Sequence, residues 1–365
     1  MSSIAHVGMD VHKDTTRVLL LGIQGPLPLD AVTVPTEEAA LLKYLRPWRA
    51  RYELHCYYEA GTLGYVVYRW LQRAGIACTV VAPSKIPRAP GDRVKTDQRD
   101  ARTLALQGRA GTLAAVRVPT PAEEAVRGLV RCRGAHQRDV QAARHRVLKF
   151  LALRGEMYRA GKHWTQLHRR WLAARRFAGP DAWTYQEYLS ELSYREQRLA
   201  EADREVEALA AAEPYATLVR ALCCFRGIST LSAMILVTEA LDFGRFGRPP
   251  AYMSYLGLTC REASSGSRRR QGSITKAGSG RCRHVLVEAA WHYRHPPAVG
   301  ACLSRRQAGQ PAAVIAHAWK AQQRLHKLFQ RLTRTGDRRR AVVAVARELA
   351  GFLWAAAQLV AAPGV

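Results

Sequence analysis

The chain has 365 residues, 48% of them hydrophobic, so it can bury the cores of two or three domains and is not a disordered basic tail. Its 56 Lys and Arg residues outnumber 29 Asp and Glu residues, which gives a formal net charge of +27. Such an excess predicts a partner with dense negative charge, such as a nucleic acid.

The eight cysteines show no C-x-x-C or C-x-x-H spacing, and no signal peptide precedes them. This pattern favours reduced thiols in a cytoplasmic protein over a zinc site or a secreted scaffold. No apolar stretch approaches the roughly 20 uninterrupted residues of a membrane span. The apolar run 341–360 is broken by Arg347, Glu348 and Gln358, which predicts an amphipathic helix and no membrane partner.

Residues 4 to about 83 alternate short apolar runs with helical stretches. The predicted strands cover 4–9, 17–22, 29–34, 53–58 and 77–81, and the predicted helices lie near 37–48 and 64–74. Three early strands in hairpin-like succession, followed by strands that alternate with helices, are the order expected of a ribonuclease H-like mixed sheet.

Four carboxylates lie at the ends of predicted elements in this region. Asp10 follows the first apolar run, Glu59 follows the fourth, and Asp97 and Asp100 share one face at a helix start. Hard oxygen ligands suit Mg²⁺ or Mn²⁺, and two such ions about 4 Å apart can stabilise both oxygens exchanged in a phosphodiester displacement. An acidic residue at a strand end is also a common turn or cap residue. The metal-site prediction therefore depends on the set of four.

From about residue 122 to 212 the chain is rich in charge and helical in pattern, without a strand signal. Its second half predicts a long helix with apolar residues near heptad spacing at Leu189, Leu192, Leu199 and Val206. A coiled coil that joins two subunits and a helical hairpin within one chain explain this spacing equally.

The third region begins near Leu218 and contains a Gly-bearing turn, 224–233, between two apolar helices. Such a turn resembles the hairpins that contact nucleic-acid backbones, and a plain helix turn explains it equally. Residues 261–340 then carry 18 Lys and Arg against 3 Asp and Glu, a net charge of +15. This excess predicts a nucleic-acid surface, with the candidate contacts Arg268, Arg269, Arg270, Lys276, Arg281 and Arg283.

A serine-rich segment, Ser264-Ser265-Gly266-Ser267, precedes the arginines of this surface. Glycine allows close backbone approach, arginine offsets negative charge on a phosphate, and serine can act as a covalent nucleophile. A flexible loop has the same composition, and the residues alone do not distinguish Ser264 from Ser265.

Six short motifs follow one another along nearly the whole chain: Gly8–Lys13, Tyr58–Thr62, Lys95–Ala101, Tyr255–Thr259, Ser264–Gly266 and Lys276–Gly278. In this order they resemble the motifs of the DEDD transposases of bacterial insertion sequences. These transposases form the IS-one-ten family, which includes the pilin-gene invertases and the RNA-guided bridge recombinases.

The resemblance implies an α/β plus α fold with three domains. These are a RuvC-like (ribonuclease H-like) catalytic domain at 1–121, a helical, coiled-coil-like dimerisation region at 122–217, and a mostly helical transposase domain at 218–365. Asp10, Glu59, Asp97 and Asp100 would bind Mg²⁺ or Mn²⁺, and Ser265, directly before the glycine, would form a phosphoserine link to DNA.

The implied function is transposition, with cutting and rejoining of donor and target DNA in the bacterial cytoplasm, at the nucleoid. A structured non-coding RNA would guide target choice by base pairing, and the protein would act as a homodimer or homotetramer. The chain departs from the family pattern at Cys260, where proline is common, at Ser229, where glycine is common, and at Ser279-Gly280, which usually carries asparagine.

Two functions from other classes remain open on the residues. A RuvC-like junction resolvase would use the carboxylates with metal-activated water and would not need Ser265. An architectural nucleic-acid-binding protein would need only the basic residues. The serine motif argues against the first function, and the ordered carboxylates argue against the second.

Overall fold

A computed structural model of the chain describes residues 3–23, 25, 27–83, 86, 96–263 and 270–361. The chain forms two compact units, Met1–Pro119 and Thr120–Val365. The first unit is a mixed sheet with helices, and the second is almost entirely helical. This agrees with the predicted α/β plus α class, whereas the division into three domains stays a prediction.

The first unit is built on a five-stranded sheet with the order β3-β2-β1-β4-β5. Strands β1, β2 and β3 are antiparallel neighbours, and β4 and β5 run parallel to β1. The mixed sheet predicted from the apolar runs is thus confirmed. Its elements are β1 (Ser3–Val11), β2 (Thr15–Leu21), β3 (Asp30–Pro35), α1 (Glu38–Arg49), β4 (Tyr52–Glu59), α2 (Val66–Arg73), β5 (Ala77–Val81) and α3 (Asp97–Arg109).

Alternation along the central strand β1 separates the two faces of the sheet. Val7 and Met9 are buried in a core with Leu45 of α1 and Leu71 of α2. Gly8 lies on the opposite face, which α3 covers. This arrangement places Asp10, two residues beyond Gly8, on the same face as α3.

The second unit begins with a long antiparallel helical hairpin of α4 (Pro121–Ala152) and α6 (Gly179–Ala211), with the short α5 (Gln166–Ala173) between them. Arginines of α4 and of the turn that follows it pair with acids of α6 in reverse order along the chain: Arg133 with Asp203, Arg144 with Glu196, and Arg154, just beyond α4, with Asp181. Buried Leu192 and Val206 of α6 lie on its inner face. The apolar residues at near-heptad spacing in α6 therefore contribute to a helical hairpin within one chain. Dimerisation through this region stays a prediction.

The larger core of the second unit joins its remaining helices. Buried residues of α7, α8, α10, α12 and α13 form one apolar cluster. The elements are α7 (Ala216–Cys223), α8 (Thr230–Ala240), α9 (Pro249–Tyr255), β6 (Cys260–Glu262), β7 (Gln271–Ile274), α10 (Gly280–Ala290), a 3₁₀ turn (Trp291–Arg294), α11 (Ala301–Gln307), α12 (Ala312–Thr335) and α13 (Arg338–Ala361).

Helix α13 corresponds to the apolar run noted near the end of the sequence. Among the described helices it is the one whose length and composition would allow it to cross a membrane. Half of its apolar window, 50%, is buried inside the protein, where Leu349 and Leu353 contribute to the core. Burial within the core accounts for the apolar composition of this helix.

Candidate functional site

Helix α3 lies close against the sheet because the residues at the contact are small. A Cβ atom added to Gly8 would lie 1.8 Å from the carbonyl oxygen of Ala101, so no side chain fits between this strand and the helix. A Cβ on Gly108 would likewise lie 2.4 Å from the ring of Tyr57. Close contact at these two glycines, with backbone at Gly8 and with an aromatic ring at Gly108, fixes the position of α3 on the sheet.

This contact also sets the position of the acidic residues. Asp97 precedes Ala101 by four residues, or about 6 Å along a helix, and Asp10 follows Gly8 by two residues, or about 7 Å along a strand. The helix start and the end of β1 therefore meet at the same edge of the sheet. Thr96 caps the helix there, because its side chain accepts a hydrogen bond from the backbone N–H of Arg99 at 3.3 Å.

Three possible metal ligands are gathered at this edge. The Nε2 atom of His12 lies 3.3 Å from Oδ2 of Asp10 and 3.6 Å from Oδ1 of Asp97. The ligand atoms of these three side chains all lie within 4.8 Å of one another. Among the described residues they form the one such group of histidine, cysteine and acidic side chains. Two carboxylates and an imidazole at this spacing can hold a divalent cation.

Glu59 lies beside Asp10 on the neighbouring strand. Met9 pairs with Tyr58 in the parallel β1–β4 ladder, so Asp10 and Glu59 occupy the next positions on strands about 4.8 Å apart. The buried Tyr58 fixes the chain after Glu59, because its hydroxyl donates to the carbonyl of Gly64 at 3.0 Å and accepts from the N–H of Tyr68 at 3.3 Å. Glu59 thus ends its strand at the same edge as the three-residue cluster.

The electrostatics of this edge favour a cation. Burial raises the pKa of Asp10; His12 opposes that shift, whereas the charges of Asp100 and Asp97 add to it. The side chain of Asp10 is only 19% exposed, and that of Asp97 is 65% exposed. Neighbouring carboxylates that repel one another around a half-buried group are stabilised when a cation binds between them.

The sequence predicted Asp10, Glu59, Asp97 and Asp100, and the structure gathers Asp10 and Asp97 with His12. Asp100 follows Asp97 in the first turn of α3, and its charge acts on Asp10. His12 belongs to the motif Gly8–Lys13 and was not among the predicted ligands. The sequence feature that could have indicated His12 as a ligand is its imidazole, two residues beyond the strand-end carboxylate Asp10.

The turn that carries His12 is held by hydrogen bonds from two directions. Its backbone N–H donates to the carbonyl of Thr15 at 3.0 Å, and its carbonyl accepts from the hydroxyl of Thr36 at 2.9 Å. The hydroxyl of Thr36 also lies 2.8 Å from that of the buried Thr16. These bonds place the imidazole over the end of β1.

In the second unit, β6 and β7 form the exposed hairpin on either side of the serine motif. Ala263 donates its backbone N–H to the carbonyl of Arg270 at 2.9 Å and so closes the described part of the hairpin. The candidate nucleophile Ser265 and the candidate contacts Arg268 and Arg269 lie outside the described residues.

Two glycine motifs, Tyr255–Thr259 and Lys276–Gly278, precede and follow this hairpin in the chain. A Cβ on Gly257 would lie 2.3 Å from the backbone of Ala277, and one on Gly278 would lie 2.1 Å from the carbonyl oxygen of Tyr255. Both glycines have positive φ angles, +67° and +66°. The motifs Tyr255–Thr259 and Lys276–Gly278 are therefore packed backbone against backbone, which only glycine permits at these two positions.

The predicted basic contacts in the described chain have different surroundings. Arg283 is partly buried, and its guanidinium donates to the carbonyls of Leu256, Ala277 and Gly278 at 3.1, 2.5 and 3.2 Å, so it joins the two motifs. Lys276, Arg270 and Arg281 are exposed.

Arg281 borders a groove of about 820 Å³ between α4, α8 and α10, together with Arg138, His284 and His292. The turn between α7 and α8 forms another wall of this groove. Gly227 packs there against Ala289 of α10, where a Cβ would lie 2.8 Å from the carbonyl oxygen. Ser229 caps α8 by accepting a hydrogen bond from the backbone N–H of Ser232 at 3.3 Å. Serine at this position therefore has a local structural role as a helix cap.

The sequence matches two transposase family models. One, a model of DEDD transposases of the IS110 type, matches residues 7–154, which include all four predicted metal-binding acids. The other, described as the transposase IS116/IS110/IS902 family, matches residues 219–301, which include the β6–β7 hairpin and its glycine motifs.

Full-length relatives agree with these matches. A putative transposase, y4qE, of Sinorhizobium fredii is 39% identical over 89% of this chain and 81% of its own length. The transposase for insertion sequence element IS1533 of Leptospira borgpetersenii is 34% identical over 91% of this chain and 97% of its own length. The chain belongs to the IS110 family of DEDD transposases of insertion sequences.

Proposed function

We propose that this transposase cuts and rejoins DNA through a covalent link between Ser265 and a DNA phosphate, with a divalent metal bound by Asp10, Glu59, Asp97 and Asp100. The observation that carries the proposal is the gathering of Asp10, His12 and Asp97 within 4.8 Å at the edge where Glu59 ends its strand. Membership of a DEDD transposase family supports metal use in general terms.

We also propose that the first unit is a RuvC-like domain. The support is its topology: an antiparallel β3-β2-β1 meander extended on the other side by the parallel strands β4 and β5, with helices between the later strands. In such a sheet the functional side chains lie at the carboxyl ends of the central strands, as Asp10 and Glu59 do here.

The donor set fits Mg²⁺ or Mn²⁺. Asp10, Glu59, Asp97 and Asp100 supply hard oxygen atoms. The pKa of Asp10 is raised first by burial and then by the charges of Asp100 and Asp97, and a bound cation would offset both effects. A metal bound there would stabilise negative charge on the scissile phosphate. His12 would act as a positioning residue, because its Nε2 atom contacts both Asp10 and Asp97.

In the proposed reaction, the hydroxyl oxygen of Ser265 attacks the phosphorus atom. The bond between phosphorus and the departing DNA hydroxyl breaks, and the proton lost by serine balances the one gained by the leaving oxygen. One phosphate ester replaces another, so the strands can be rejoined to a new partner without ATP. Arg270 and Lys276, exposed on the described flanks of the motif, would contact the phosphate.

We further propose that a structured RNA guides the choice of DNA and that the protein works as a dimer or tetramer. The net charge of +27 supports binding of both nucleic acids. In this proposal the α4–α6 hairpin, with its two helices of more than 30 residues, would present the assembly surface.

The direct test is a search on a denaturing gel for a covalent protein–DNA adduct. Purified protein, expressed with its flanking non-coding sequence, would be incubated with labelled junction DNA and Mg²⁺, beside Ser265→Ala and the control Ser267→Ala. We expect an adduct that needs metal, disappears in Ser265→Ala and persists in Ser267→Ala. Cleavage without an adduct, unchanged in Ser265→Ala, would contradict the serine mechanism and favour a resolvase that uses water.

A further inference from the structure

A row of five cations follows one face of α12. Lys320, Arg324, Lys327, Arg331 and Arg334 are separated by four, three, four and three residues, and all five are exposed. Residues at this spacing lie along one side of a helix. The row therefore extends for about 21 Å, with neighbouring cations about 5 Å apart along the helix axis.

The buried side of the same helix shows why the row faces outward. Val314, Ala318, Ala321, Leu325 and Leu328 have the same four-three-four-three spacing and are packed in the core of the second unit. Each cation follows one of these residues by six positions, which corresponds to about 120° around the helix. Because both rows have the same period, packing of the apolar row keeps all five cations on one exposed face.

The cations of this row differ from the arginines of the α4–α6 hairpin in how many of them pair with an acidic residue. Arg133 and Arg144 of α4, and Arg154 just beyond it, each pair with an acid of α6. In the part of the chain that the structure describes, Arg324 is the one cation of the row with an acidic partner, Glu348, at 2.8 Å. Helix α12 contains no acidic residue. The positive charges of the other four cations repel one another, and the negative charges of a bound polyanion would offset that repulsion.

We infer that this face of α12 binds the phosphate backbone of double-stranded DNA. One strand of a duplex presents a phosphate about every 3.4 Å along its axis, so a row about 21 Å long spans about six phosphates. A groove of about 420 Å³ lies along the row and is lined by Lys320, Arg324, Lys327 and Arg331. Contacts of this kind are independent of sequence and position the duplex for the transposase.

The inference goes beyond the proposed reaction, because backbone binding needs neither Ser265 nor a metal. Binding would therefore be measured in EDTA by the fluorescence anisotropy of a labelled duplex over a series of salt concentrations. The test variant replaces Lys320, Lys327, Arg331 and Arg334 with glutamine. The control replaces four exposed cations of the same unit that form no such row: Arg159, Lys162, Arg170 and Arg176.

We expect the salt slope, log K against log salt concentration, to become shallower by about 3 to 4 in the test variant, since each lost phosphate contact removes about 0.9. The control variant should lose less than about 1. An unchanged slope, or an equal loss in the control, would overturn the inference. So would a loss seen with duplex RNA of the same sequence but not with DNA.

A gain of binding provides a test that misfolding cannot imitate. Glu348 lines the groove and neutralises Arg324. We expect Glu348→Gln to strengthen DNA binding several-fold at low salt, because it removes the negative charge beside the row. Unchanged or weaker binding, in a variant that melts like the wild type, would contradict the placement of DNA along this face.

Discussion

At the sheet edge of the first unit, carboxylates lie beside one another, whereas in the helices of the second unit they lie beside arginines. Burial raises the pKa of the Asp10 carboxyl, and the charges of Asp100 and Asp97 add to that shift. Glu196 instead receives hydrogen bonds from Arg144 and Arg169, and its pKa is lowered. In a chain with so few acids, the neighbours of a carboxylate distinguish a ligand site from a structural ion pair.

The largest expected effect follows from removing a charge at the sheet edge. Asp10→Asn should reduce DNA cleavage by about a thousandfold or more, because a metal contributes several kcal/mol of charge stabilisation. DNA binding at moderate salt should stay close to that of the wild type. Cleavage rates and binding isotherms of the same preparations check this prediction. Loss of binding on the scale of the loss of cleavage would contradict a catalytic role for Asp10.

The contact that positions these acids can be broken without changing any charge. Gly8→Ala places a methyl group against the backbone of Ala101, so α3 must shift. We expect a loss of about 1 to 3 kcal/mol in the free energy of unfolding. We also expect the cleavage rate to fall by more than this loss of stability alone would cause.

Gly128→Ala is the matched control for this substitution. A Cβ at Gly128, which lies within α4, would have open space around it. This change should stabilise the protein by about 0.5 to 1 kcal/mol and leave cleavage unchanged. Thermal unfolding and cleavage assays compare the two variants, and equal effects would show that the contact at Gly8 does not position α3.

In the second unit, the burial of an ion pair should determine how much the pair contributes to the free energy of unfolding. Glu239 of α8 is only 8% exposed and receives two hydrogen bonds from Arg131 of α4, at 2.8 and 3.0 Å. Arg131→Ala leaves this carboxylate without its guanidinium partner, and we expect a loss of about 2 to 4 kcal/mol.

The exposed pair of Arg324 and Glu348 provides the comparison. The side chain of Arg324 is 64% exposed, so Arg324→Ala should cost less than about 1 kcal/mol in the free energy of unfolding. Urea unfolding of both variants measures the difference. A larger loss in Arg324→Ala than in Arg131→Ala would show that burial does not govern these pairs.

The last expected effect depends on pH. Burial raises the pKa of Glu196, but hydrogen bonds from Arg169 and Arg144 outweigh it and leave the folded pKa below its ordinary value of 4.5. The stabilisation is therefore complete above pH 4.5 and is lost as the pH falls through the folded pKa.

Glu196→Gln should remove this pH-dependent part of the stability. We expect the variant to be less stable than the wild type by about 1 to 2 kcal/mol at pH 7. The difference should shrink in acid, where the wild-type carboxyl is protonated. Urea unfolding at a series of pH values measures it, and a difference that is constant with pH would contradict the account.

Much of the first unit could be predicted from the sequence. The five strands were placed to within about two residues of their observed ends, because apolar runs and turn residues are local signals. Asp10 and Glu59 were predicted for the same reason, since they follow two of those runs, whereas Asp97 and Asp100 were predicted from their spacing at a helix start. The contact of Gly8 with Ala101 could not be found in this way, since it joins residues far apart in the chain.

The basic region was predicted from its composition, and its candidate nucleic-acid contacts were named from their charge. The guanidinium of Arg283, one of these candidates, donates to three backbone carbonyls of the protein, and its contact with nucleic acid stays a prediction. The row on α12 lies in the same basic region, and its four-three-four-three spacing is visible in the sequence. The spacing alone does not identify the buried face of this helix, because that face is defined by its packing against other helices in the core of the second unit.

The proposed metal centre formed by the acids at the sheet edge is tested most directly by titrating Mn²⁺ into the DNA-free protein and measuring bound ion by electron paramagnetic resonance. The Asp10→Asn, Asp97→Asn double variant is compared with Glu196→Gln, which loses a carboxylate of the second unit. We expect saturable binding in the wild type and in Glu196→Gln, and its loss in the double variant. Equal binding in all three proteins would contradict the claim.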